Sequence, residues 1–124
     1  MKNFRQLKVW GKAHTLTLKV YELSKRFPKE EMYGITSQVR RSCASIPTNI
    51  AEGCGRNSDA ELSRFFSIAS GSASELEYLF QLIFDLKFIE KPEYDELVND
   101  VIEIKQMLTS FVKKAESCPL IADS

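Results

Sequence analysis

A chain of 124 residues is the size of one domain, and its 44% hydrophobic content is enough for a core without disulfide staples. Seventeen Lys/Arg balance seventeen Asp/Glu, so net charge is zero and the pI near 6.6. That balance excludes a uniformly basic nucleic-acid arm and a charge-driven disordered chain.

The opening Met1-Lys2-Asn3-Phe4-Arg5-Gln6 has no apolar run behind its charges, and no window approaches the roughly 18 apolar residues of a membrane span. Cys43, Cys54 and Cys118 are odd in number and lack CxxC spacing, as expected of reduced thiols in a cytoplasmic protein. His14, the single histidine, leaves no His-based metal cluster to build.

Four helical segments follow in chain order. Over residues 4–26, Val9, Trp10, Ala13, Leu16, Val20, Leu23 and Phe27 keep the three-four spacing of one helix face, and Pro28 interrupts it. The second segment, 31–53, opens on Glu30 and Glu31 and carries Ile35, Val39, Cys43, Ile46 and Ile50. Pro47 lies inside it, so a kinked but continuing helix is expected, with Gly53 and Gly55 as its stop. Ser58-Asp59-Ala60-Glu61 has capping-box spacing and opens the third segment, 59–87, whose stripe runs from Leu62 to Leu86. Gly71, among Ser70, Ser72 and Ser74, is expected in a strip of close helix contact. Pro92 suits the first turn of the fourth segment, 92–117, which carries Leu97, Val101, Ile104, Leu108 and Phe111. Residues 118–124 read as an irregular tail. No strand-like alternation competes, and short connections make neighbours antiparallel. The expected fold is all-α, an up-down-up-down antiparallel four-helix bundle over residues 1–117.

Zero net charge conceals a division. Residues 1–56 hold eleven bases against four acids, a net +7, and residues 57–124 carry the compensating −7. Such asymmetry points to charged partners. Arg5, Lys12, Lys19 and Arg26 are each seven apart, and Lys8 falls on the same side, forming a basic stripe beside the apolar face. Three readings stand open: pairing with acids of the fourth helix, contact with another subunit, or tracking of a phosphate backbone.

Little supports catalysis. Cys43 or Cys54 with His14 is the only conceivable nucleophile–base pair, and Cys43 lies on the apolar stripe. Glu75 and Glu77, two apart on a helix, face different directions. Gly53-Cys54-Gly55 follows a helix where a phosphate loop follows a strand. No catalytic residue, metal or cofactor is assigned. Trp10, on the edge of the first apolar face, is either an end cap or a subunit anchor.

A longer pattern runs through the middle of the chain: Phe27-Pro28-Lys29-Glu30-Glu31-Met32-Tyr33-Gly34-Ile35, Gln38-Val39-Arg40-Arg41-Ser42, Ser45-Ile46-Pro47-Thr48-Asn49-Ile50-Ala51-Glu52-Gly53, and then Phe65-Phe66-Ser67-Ile68-Ala69-Ser70-Gly71-Ser72-Ala73-Ser74-Glu75-Leu76-Glu77. It resembles the signature of the four-helix-bundle proteins encoded by intervening sequences of 23S rRNA genes. Leu7-Lys8-Val9-Trp10-Gly11-Lys12-Ala13 is similar to that family's opening, while Ile35 replaces a usual leucine and Cys43 a usual alanine. The resemblance implies a bundle assembled into a ring, with the pentamer as the associated form. It also implies kinship to the accessory variability determinant of diversity-generating retroelements, a more basic bundle that works with reverse transcriptase and nucleic acid. The family's name records where some of its genes lie and does not make ribosomal RNA a ligand.

Gln38, Arg41, Ser45, Asn49 and Glu52 share one helix face, and this polar strip with Trp10 is the expected oligomer interface, internal bridging being the other reading. Arg5, Lys8, Lys12, Lys19, Arg26, Arg40 and Arg56 are the residues expected to face an anionic partner, RNA or DNA. The alternative is a structural or protein-recruiting scaffold without nucleic-acid affinity.

Overall fold

The structure, a computed structural model, describes residues 2–117, so the tail expected at 118–124 lies outside the described residues. It contains four α-helices: α1 (Lys8–Ser24), α2 (Ile35–Cys54), α3 (Asp59–Asp85) and α4 (Lys91–Ser117). Short 3-10 turns at Phe4–Gln6 and Lys29–Glu31 precede α1 and α2, and there is no strand among the described residues. No described helix is long and apolar enough to cross a membrane.

Two helices start later than the spacing of apolar residues suggests, for local reasons. Leu7 is extended and separates the first turn, capped by the Asn3 side chain on the Arg5 N–H, from α1. Glu30 and Glu31 occupy the second turn, and Glu31 Oε1 accepts from the Ile35 N–H at 3.2 Å. Glu31 therefore caps α2 from outside, filling with its own carboxylate the place where orphan N–H groups attract an anion.

α2 passes through Pro47 without a break. Proline has no N–H to offer the Cys43 carbonyl. The Thr17 hydroxyl from α1 lies 3.4 Å from that carbonyl, although its shorter bond, 2.8 Å, goes to Ala13 O. Of the two glycines expected to stop α2, Gly55 does so as its C-cap, with an ordinary φ of −82°, while Gly53 lies inside the last turn because the helix runs to Cys54. A Cβ at Gly53 would lie 3.1 Å from Phe65 Cβ and 3.2 Å from Leu62 O, so the glycine permits a close crossing of α2 over α3.

Ser58 Oγ caps α3 by accepting from the Glu61 N–H at 3.1 Å. The expected strip of close contact holds for Ser72, whose hydroxyl meets Ser45 Oγ at 2.8 Å and whose carbonyl accepts from Ser42 Oγ at 3.1 Å. It fails for Gly71, where an added Cβ would have nothing within 4 Å. The stripe also overreaches at Leu86, which is 47% exposed because α3 closes there. The Phe88 N–H bonds to Ile83 O and the Lys87 N–H to Phe84 O, both at 2.9 Å, the paired bonds of a Schellman motif. Lys87 holds the left-handed position at φ 67°, which glycine usually fills. Lys87→Gly should therefore raise stability by about 0.5–1 kcal/mol, read as a higher urea midpoint at unchanged slope.

Cross-helix pairs give the topology. Thr17 meets Cys43 while Arg40 meets Ser24; Gly53 abuts Phe65 while Ser45 meets Ser72; Phe66 packs on Phe111 while Phe84 stacks on Tyr94. In each pair the numbers rise on one helix as they fall on the next, so neighbours are antiparallel. α4 closes on α1, and the diagonal pairs, α1 with α3 and α2 with α4, keep their backbones apart across the core. The result is a square four-helix bundle around Leu16, Ile46, Ile50, Phe66, Leu76, Phe80, Leu97 and Leu108, all under 2% exposed.

Candidate anion-binding surface

The basic stripe of α1 folds against the acidic edge of α4. Lys12 Nζ lies 2.7 Å from Glu103, Lys19 Nζ lies 2.7 Å from Asp100 and 3.2 Å from Glu96, and Arg26 lies 2.6 Å from Glu93. Seven-residue steps on α1 thus meet a run of α4 acids spaced three and four apart, the antiparallel seam expected of one of the three readings. The hydrogen bond from Lys12 holds the Glu103 carboxyl below its ordinary range, with the charges of Lys12 and Lys8 acting the same way. For Lys19, burial pulls the ammonium pKa down, but the bonds and charges of Asp100 and Glu96 outweigh it and leave it raised.

The other expected residues part company. Arg5 sits over the Phe4 ring at 4.5 Å, and Lys8 is exposed, both lining a shallow groove between α1 and α4. Arg56 bonds to Glu52 at 3.0 Å and lies over Phe65 at 4.7 Å, so both it and the end of the polar strip are engaged within the chain. Asn49 Nδ2 donates to Ser45 O at 2.8 Å and Gln38 is exposed, so the strip runs from solvent at Gln38 to internal bridges at Ser45 and Asn49. Trp10 packs within the chain, edge-on to Phe4 at 4.9 Å and stacked on His14 at 4.8 Å, as an end cap does.

Arg40 and Arg41 differ from the stripe. Arg40 Nε donates to Ser24 Oγ at 2.7 Å and its guanidinium lies 5.1 Å from the centre of the Tyr21 ring, while Arg41 donates to Ser37 Oγ at 2.9 Å. Hydroxyls fix both guanidinium groups and neutralise neither; no carboxylate pairs with them among the described residues. Both arginines line an open groove with Tyr21, Tyr33, Ser37 and Thr48, and none of its lining residues is acidic. Sequence spacing separated the two arginines, one on the basic side and one in the polar strip. Their shared groove depends on Ser24 and Tyr21 of α1, whose meeting with α2 no spacing within α2 announces.

Groups for covalent or metal chemistry are not assembled. Burial pushes the Cys43 thiol up to about 12, against an opposing hydrogen bond to Thr17, and burial also raises Cys54. Both thiols stay protonated at neutral pH and are poor nucleophiles. Among the described residues no three of His, Cys, Asp and Glu gather to hold a metal.

Fold and surface define the class: a four-helix bundle with one seam closed by ion pairs and a separate arginine groove. The chain belongs to the 23S rRNA-intervening sequence protein family, whose profile matches residues 5–110. It is similar to a crystal structure of a protein of unknown function from the S23 ribosomal protein family of Bacteroides thetaiotaomicron. That likeness has a TM-score of 0.79 at 29% identity, covering 85% of this chain and 95% of the other. No curated protein matches the chain.

Proposed function

We propose that the protein is a non-enzymatic bundle that self-associates into a ring, a pentamer, in the cytoplasm and presents basic surface to a nucleic acid, RNA or DNA. The observation that carries this reading is the Arg40–Arg41 pair, positioned by hydroxyls and left without a carboxylate among the described residues while Lys12, Lys19 and Arg26 are paired. A guanidinium held in place at full charge is suited to phosphate. Repetition around a ring multiplies a modest patch into an avid surface.

The test is light scattering after size exclusion, at low and high salt, with and without a structured RNA fragment. The expected result is a salt-resistant assembly that takes up RNA at low salt and releases it as salt rises. A monomer would refute the assembly, and an assembly that ignores RNA at every salt would be a protein scaffold.

A further inference from the structure

We propose that the α1–α2 groove takes an unpaired nucleic-acid strand, with a phosphodiester held by Arg40 and Arg41 and a base stacked on Tyr33. This rests on the nucleic-acid reading above and names the form of the ligand and its place.

The groove is built for an anion. Arg40 is anchored through Nε on Ser24, itself 3% exposed, and its terminal nitrogens make no hydrogen bond within the described residues. Arg41 commits one terminal nitrogen to Ser37, and its remaining donors are open. Neighbouring residues thus present two positive charges to one groove, where an anion finds guanidinium donors from both. Paired bases elsewhere, from Lys12 to Lys105, have met their carboxylates already.

An aromatic platform stands beside this charge. Tyr33 is 98% exposed on the turn before α2, with Met32 next to it at 46%, and both line the groove with the arginines. A ring so exposed gains little from the fold. A base within a duplex already has both faces covered, so such a ring serves only a base that is unstacked. Phosphate-binding guanidinium groups next to an open aromatic face are the two parts of a single-strand site.

The experiment is fluorescence anisotropy at low salt with a labelled oligouridine and a hairpin RNA of equal length, on wild type, Tyr33→Leu, Arg41→Gln and the seam variant Lys12→Gln/Lys19→Gln. Tyr33 and Arg41 are exposed, so their replacements leave the core intact, and circular-dichroism melts verify it. Wild type should prefer the oligouridine; Tyr33→Leu should weaken it about fivefold or more, and Arg41→Gln should weaken it about tenfold and flatten the salt slope by about one. The seam variant should bind as wild type does. If wild type binds RNA but prefers the hairpin, or is indifferent to Tyr33 and Arg41, the groove assignment is wrong and the nucleic-acid reading stands. If wild type binds neither RNA, that reading falls as well. Variants that change the assembly's size and not its RNA affinity would make the groove a contact between copies, which also overturns the proposal.

Discussion

Phe66→Ala should remove about 3–5 kcal/mol of folding stability, a large share of what a domain of this size has to lose. Phe66 is fully buried, its ring 4.6 Å from that of Phe111 on α4. On its other side Phe66 Cδ1 would lie 3.2 Å from a Cβ at Gly53, so α2 presses on the ring through bare backbone. No neighbouring side chain at Gly53 exists to move into the vacated space. The deletion therefore leaves a cavity that three helices border and cannot readily close. Urea unfolding of the variant against wild type gives the number; a loss below about 1.5 kcal/mol would mean that the helices collapse into the gap.

The alkaline limb of stability should be steep, and Cys43 should account for much of it. Its thiol lies against Thr17 in the core, and burial raises it from 9.0 to about 12. Above pH 9 the unfolded chain gives up this proton while the folded chain keeps it, so the folded state loses ground as pH rises. The expected loss is roughly 1.4 kcal/mol per pH unit, on the order of 4 kcal/mol by pH 12. Lys19, raised by its α4 partners, acts in the same direction above its ordinary 10.5. Urea midpoints across about pH 8–11 in reductant should therefore fall faster for wild type than for Cys43→Ala, which has no thiol to titrate. Parallel curves for the two proteins would show that the thiol ionises without opening the bundle.

Much of the fold was legible because helix faces are written in local spacing. Val9, Ala13, Leu16 and Val20 on α1, and Leu97, Val101, Ile104 and Leu108 on α4, are buried as their three-four periodicity requires. Ser58 caps α3 as its spacing from Glu61 indicates. Helix starts and stops were less legible, since they depend on single side chains reaching back along the chain. Glu31 reads as a first-turn acid and acts as an external cap on Ile35. Lys87 takes a left-handed cap that its side chain argues against, and the bonds from Lys87 and Phe88 hold it there.

Glycines show the limit most clearly. Gly53 and Gly71 both invite a local reading, one as a stop and one as a contact, and the structure reverses them: Gly53 is the close crossing and Gly71 is open. What decides is the partner helix, which lies outside any local window. The surface follows the same logic. The α1 stripe was visible, but its assignment waited on Glu93, Glu96, Asp100 and Glu103 standing opposite on α4. The company of Tyr33 with Arg40 and Arg41 was not legible, because that needs the turn at 29–31 to fold back beside α2.

The closure of α4 on α1 gives the bundle unequal edges. Between α2 and α3 the helices meet through Gly53 and the serine pair at close contact, with no ion pair among the described residues joining them. Between α1 and α4 a solvent-facing groove runs along the line where Lys12 and Lys19 reach Glu103 and Asp100. Charges that water can reach are screened within about 10 Å at 0.1 M salt. Ionic strength therefore bears on one edge of the square more than on the edge opposite it.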